Sequence, residues 1–163
     1  MIVLGVDPGS RRTGFGLIQT DGRRHRLVAH GVIEPAPRAG LAERLRAVHA
    51  GIAALIERHH PDVLAVEDVF HAANTRTALV LGHVRGVVLL AGAQAGLPVA
   101  EYPPATVKAQ ITGFGRAEKR QVALMVAQHL ALGDAAPTGD AADALAVALC
   151  QAHVGAGRAG LPS

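Results

Sequence analysis

MIVLGVDPGS, residues 1–10, is the stretch on which the fold turns. Ile2 to Val6 is a continuous apolar and largely β-branched run, and Pro8-Gly9 closes it before a helix of useful length can form. Such a run reads as a strand buried on both faces, and it ends on an acid, Asp7. Working outward, the turn PGSRRTG leads into Phe15 to Gln19. The Asp21-Gly22 turn signal then leads into Arg26 to Ile33, which predicts a three-strand meander ended by Pro35 and Pro37.

From Leu41 the period changes. Leu41, Leu45, Val48, Ile52, Leu55 and Ile56 recur at helical spacing, charged residues fall outside that stripe, and His59, His60 and Pro61 close the helix. A second wholly apolar run, Val63 to Val66, ends in Glu67 and Asp68. A strand, a helical crossover and another buried strand predict parallel neighbours. Parallel neighbours finish at the same edge of a sheet, so Asp7 and Glu67 are expected side by side. Alternation sends Asp68 to the opposite face, at the start of a solvated loop.

The remainder predicts a helix from Thr75 to Ala95, a strand from Leu97 to Tyr102, a short helix from Ala105 to Gln110, a Gly-loosened loop Thr112 to Arg116, and a helix from Ala117 to Leu132. Gly82 and Gly86, like Gly92 and Gly96, are spaced four apart, which suits close helix approach within the chain or between two copies. The expected fold class is α/β: a five-stranded mixed sheet, the meander plus parallel strands, flanked by helices. One domain over residues 1–153 is expected, with 154–163 as a mobile tail.

In GDAADALAVALC, residues 139–150, Asp140 and Asp143 stand three apart, on the helix face that continues through Val147 and Cys150. A buried carboxylate without a partner costs several kcal/mol. No Lys or Arg lies between Arg120 and Arg158, so compensation comes from far along the chain, from helix capping, or from a metal. On this segment alone it is simpler to read Asp140 as favouring the positive end of a helix, with Asp143 solvated.

Composition bounds the rest. The formal charge is +3, and all of the basic residues except Lys108 and Lys119 are Arg. If several acids gather at one site, the remaining surface is more basic than that figure. A basic rim around an acidic pocket suits a polyanion handled by metal ions, although an Arg- and Ala-rich genome explains the composition equally. Cys150 is solitary, which excludes a disulfide framework or thiolate metal site. The opening strand does not read as a signal peptide. Thr77 to Leu97 is apolar enough to raise the question of a membrane span, but Arg85 at its middle would cost roughly 2.5–3.5 kcal/mol there. It is therefore expected to be a buried helix of a cytoplasmic protein with no membrane partner. His71, His83 and the His59-His60 pair lack partners at ligand spacing, so surface or core roles are expected of them.

Four acids then share an address: Asp7 and Glu67 at a sheet edge, Asp140 and Asp143 on a helix packed against it. Two unit charges about 4 Å apart repel by roughly 4 kcal/mol at an effective dielectric near 20, so four would titrate or disperse without cations. Mg²⁺, held by a few carboxylates while keeping waters, is the usual answer at phosphate sites. Two such ions can flank a scissile phosphate.

GVDPGSRRTGFG, VEDVF, TGFGRAEKRQV and DAADALA, in that order and at those intervals, resemble the RuvC-type Holliday junction resolvases from about Ile2 to His153. The resemblance implies an RNase H-like fold, a homodimer, Mg²⁺ or Mn²⁺ with two ions per site, and paired nicks across four-way junction DNA. It also implies cooperation with a RuvA and RuvB branch-migration complex. Its metal-binding catalytic acids fall on Asp7, Glu67, Asp140 and Asp143. Its junction-contacting phenylalanine falls on Phe70 and its basic contacts on Lys108 and Lys119, and Arg76, just past the Phe70 loop, is counted with these DNA contacts. Arg12 stands where an apolar residue is common in that family.

The residues support those contacts independently. Phe70 is placed to stack on a base, worth roughly 1–3 kcal/mol. The two lysines flank the loose Gly loop, where Phe114 is either a second stacking residue or a loop anchor. Two rival functions fit the residues less well. DPGSRRTG also resembles the first phosphate loop of sugar kinases and actin-type ATPases, but the second phosphate turn and adenosine motif of those proteins are not found in the sequence. A junction-binding module without catalysis would have no reason to keep four acids inside.

Overall fold

The computed structural model describes residues 1–68, 74–133 and 136–159. Five strands, β1 (Ile2–Pro8), β2 (Thr13–Thr20), β3 (His25–Ile33), β4 (Val63–Glu67) and β5 (Val99–Tyr102), form one sheet in the order β3-β2-β1-β4-β5. β1–β2 and β2–β3 are antiparallel, as the meander requires, and β1–β4 and β4–β5 are parallel. The helices are α1 (Leu41–His59), α2 (Thr75–Gln94), α3 (Pro104–Thr112), α4 (Lys119–His129) and α5 (Asp140–Ala159).

The alternation of β1 divides the core into two. Val3, with Val63 and Ala65 of β4, packs beneath α5 together with Leu145 and Leu149. Leu4 and Val6, with Leu64 and Val66, pack on the other face against Ile52 of α1 and Val88 of α2. Period 2 therefore commits Gly5 and Asp7 to the α5 side and, in β4, Glu67 to that same side. The wholly apolar strand segments are apolar because both faces are covered.

Three expectations change. α2 was expected to be buried. It is the helix among the described residues long and apolar enough to cross a membrane by length and composition, yet only 22% of its most apolar window is covered by this chain. It packs along one side only, through Val84, Val88 and Ala91. Arg85 at its middle pairs with Glu101 and, at 3.2 Å, with Asp68, so Asp68 is tied to α2 instead of being simply solvated. The boundary expected at His153 falls inside α5, which continues to Ala159 because Val154 still packs on the core. Residues 160–163 lie outside the described residues.

The glycines of the α2 region separate by role. Gly92 lies against Leu64 and Val99, and a Cβ there would stand 2.6 Å from Leu64 Cδ2, so its close approach is internal. Gly96 has a positive φ of 69° and belongs to the turn after the helix. Gly82 and Gly86 face open space.

Candidate active site

Asp7 is paired in register with Gly14 of β2, and the backbone of Asp140 occupies the space that a Cβ at Gly14 would need. One turn further along α5, a Cβ at Gly5 would meet the Ala144 carbonyl and stand 2.6 Å from the Ala148 amide nitrogen. Two side-chain-free positions thus let α5 rest directly on β1 and β2, and the helix begins over Asp7. Asp140 and Asp143 both lie in its first turn, where the helix dipole favours negative charge. The parallel register Val6↔Val66 puts Glu67 next to Asp7 across the strand pair.

The geometry gathers all four expected acids. One carboxylate oxygen each from Asp7, Asp140 and Asp143 lie within 4.8 Å of one another, and Glu67 is hydrogen-bonded to Asp7. Burial, followed by the neighbouring charge of Asp143, pushes Asp7 up to about 6. Burial, followed by the charge of Asp7, pushes Glu67 up to about 8. At neutral pH the Glu67 carboxyl keeps its proton and donates it to Asp7, which accepts. An all-oxygen donor set that must hold protons when nothing else neutralises it is the chemistry of a hard divalent cation site.

Two cations of the chain already lean on the cluster. Arg12 pairs with Asp140 at 3.0 Å and Lys119 donates to Asp143 at 2.7 Å. These are the distant positive charges that the α5 segment lacks in its own sequence. Lys119 begins α4 after a cap in which the Glu118 amide donates to the Gln121 side chain at 2.9 Å. Arg12 was singled out in the sequence only as a departure from a family pattern. Its neighbour Thr13 pairs with Pro8 beside Asp7, so the hairpin register is the signal that would have found it.

Of the expected DNA contacts, Lys108 and Lys119 line a cavity of about 230 Å³ together with Asp7, Glu67 and Asp143. Arg76 does not. It lines a separate recess with Arg11 and Arg44, at the start of α2. Phe70 lies outside the described residues. Phe114 is 59% exposed, and its loop is held through Thr112, whose hydroxyl accepts from the Phe114 amide at 3.1 Å, so the ring does not serve as an anchor.

A mixed five-stranded sheet with carboxylates brought to one place from β1, β4 and α5 defines the class: an RNase H-like nuclease that uses divalent metal. A family model described as crossover junction endodeoxyribonuclease RuvC matches residues 3–151. The chain belongs to that family. It is 50% identical over 153 residues to the crossover junction endodeoxyribonuclease RuvC of Pelotomaculum thermopropionicum, covering 94% of this chain and 93% of the relative. It is 54% identical over 151 residues to that of Halorhodospira halophila, covering 93% and 89%. Among solved structures, Thermus thermophilus RuvC in complex with Holliday junction substrate superposes with a TM-score of 0.91 at 36% identity, covering 97% of this chain and 96% of that one.

Proposed function

We propose that this chain resolves four-way DNA junctions in recombination and repair by paired symmetric nicks, with Asp7, Glu67, Asp140 and Asp143 as the catalytic acids. The observation that carries the reading is the convergence of three carboxylates within 4.8 Å of one another, with Glu67 protonated against Asp7. Mg²⁺ or Mn²⁺, two ions held by the four acids, would supply water activation and neutralise charge on the scissile phosphate. Water adds to phosphorus as the bond to the 3′ oxygen breaks, leaving a 5′-phosphate and a 3′-hydroxyl.

The chain's own residues prepare that step. With metal bound, Asp7 and Glu67 would both be carboxylates, their shared proton passing to solvent, and Asp140 and Asp143 would exchange Arg12 and Lys119 for the ions. Lys119 then joins Lys108 at the cavity rim as a phosphate contact, and Arg76, with Arg11 and Arg44 in its separate recess, is a second basic contact for the DNA backbone. Phe70 stacks on a base near the cut. A single domain carries these functions.

Each site makes one nick, so two symmetric nicks call for two copies related by a two-fold axis. α2 supplies the interface in this reading: Leu79 and Leu90 are 61% and 49% exposed, and Gly82 and Gly86 leave room for a second helix. The dimer works in the cytoplasm with a RuvA and RuvB branch-migration complex and has no membrane partner. The test is cleavage of a synthetic four-way junction against plain duplex, with and without Mg²⁺ or Mn²⁺. Asp7→Asn is expected to keep junction binding and lose cleavage, and persistence of cleavage would remove the site assignment.

A further inference from the structure

Glu67 is the last residue of β4, so its aim depends on how that strand end is held. The parallel register sets Val66 beside Glu101 and Glu67 beside Tyr102, and the Asp68 amide then donates to the Tyr102 carbonyl at 2.8 Å. Alternation sorts the side chains between the two faces of the sheet. Glu67 and Tyr102 face α5, where Tyr102 packs on the core and its hydroxyl donates to Gln151 at 2.5 Å. Asp68 and Glu101 face α2, and there Nη2 of Arg85 meets both, Glu101 directly and Asp68 at 3.2 Å. One guanidinium thus joins the ends of β4 and β5 on the face of the sheet behind the acids.

We infer that Arg85 is a positioning residue for the nuclease: by bridging Asp68 and Glu101 it holds the Glu67 carboxylate against Asp7. This rests on the four-acid reading proposed above. The α2 end of the bridge is fixed, because Arg85 stands between Val84 and Val88, which are 2% and 0% exposed and packed in the core on that face of the sheet. Arg85 Nε is buried and has no hydrogen-bond partner among the described residues. A buried donor left unpaired is costly, so the side chain is kept for what Nη2 does.

The bridge acts through direction more than through stability. The side chains of Arg85, Asp68 and Glu101 are 28%, 27% and 39% exposed, and ion pairs that open to water add little to folding. Removing the cation leaves two carboxylates at neighbouring strand ends that repel each other. That repulsion is relieved where Asp68 leaves the sheet, one peptide from Glu67. A displacement of about 1 Å in a reacting constellation costs on the order of 10²-fold in rate. Loss of a group that orients a metal-binding carboxylate costs about 10–100-fold in affinity or activity. Arg85 is not among the residues that line the cavity with Lys108 and Lys119, so its loss leaves junction binding in place.

The test compares the full-length wild type with Arg85→Met, Arg85→Lys and Val88→Ala, the last of which loosens the same helix without touching the bridge. Mn²⁺ binding without DNA is read from the electron paramagnetic resonance signal of the free ion, and junction cleavage in Mg²⁺ is resolved into kcat and KM. Arg85→Met is expected to weaken Mn²⁺ binding about tenfold or more and to lower kcat about 10–100-fold, with KM for the junction within about twofold of wild type. Arg85→Lys keeps a cation between the two acids and recovers most of both losses. Val88→Ala lowers the melting temperature and leaves Mn²⁺ binding and kcat near wild type. Unchanged Mn²⁺ binding or kcat in Arg85→Met, equal losses in Val88→Ala, or no recovery in Arg85→Lys overturns the assignment. If Mn²⁺ binding depends on Arg85 in this way but the wild type cuts no junction, the nuclease reading falls and the positioning role of Arg85 stands.

Discussion

Replacing Glu67 with Gln removes the carboxyl whose protonation the folded site enforces. Its ordinary value near 4.5 is raised to about 8 by burial and by the charge of Asp7. Because the folded value lies above the unfolded one, the associated stability is complete below about pH 4.5 and is lost as pH rises through about 8. At about 1.36 kcal/mol per unit, the full shift corresponds to at most about 5 kcal/mol. Asp7 shares the same proton and the pair is open to the cavity, so a net loss of about 2–4 kcal/mol is expected between those limits. In a chain of this size that is roughly 5–12 °C in melting temperature.

The assay is thermal unfolding of the wild type and Glu67→Gln in EDTA from pH 4.5 to 8.5, repeated with Mg²⁺. Metal-free wild type should lose stability steadily with rising pH, whereas Glu67→Gln should lose much less and be the more stable protein at pH 8. Mg²⁺ should restore the wild type at high pH, where the ligands are unprotonated, and do little for the variant. A flat metal-free profile for the wild type, or an equal slope in Glu67→Gln, would refute the argument that these acids are held together against their own repulsion.

Gly14→Ala places a Cβ against the Asp140 backbone, so the first turn of α5 must shift; about 1–3 kcal/mol of stability is expected to go, measured by urea unfolding, with cleavage falling further than stability explains. Charges at the open face of α2, Leu79→Glu with Leu90→Glu, should leave the fold intact and convert a dimer to a monomer in sedimentation, with single nicks replacing paired ones; an unchanged sedimentation coefficient would move the interface elsewhere.

Most of the fold can be read directly from period and punctuation. Runs such as IVLGV and VLAV are apolar at every position because both sheet faces are covered, and a helix of the crossover kind between them forces the parallel pairing. The four acids were legible for the same reason: strand ends, alternation and a three-residue helical spacing are local properties. α2 was misjudged as buried because apolar composition records that a face must be covered, not which chain covers it.

What the sequence determines by itself here is which residues must face a core and which acids must share an edge, since both follow from repeats of two and 3.6 residues along the chain. What only the tertiary structure decides is who neutralises whom. Arg12 meets Asp140 and Lys119 meets Asp143 because α5 rests on Gly5 and Gly14 at one particular height, and His25, His129 and His153 converge because three elements end at the same corner. Charge and ring contacts act over a few ångströms between segments distant in sequence, and no local pattern encodes that distance.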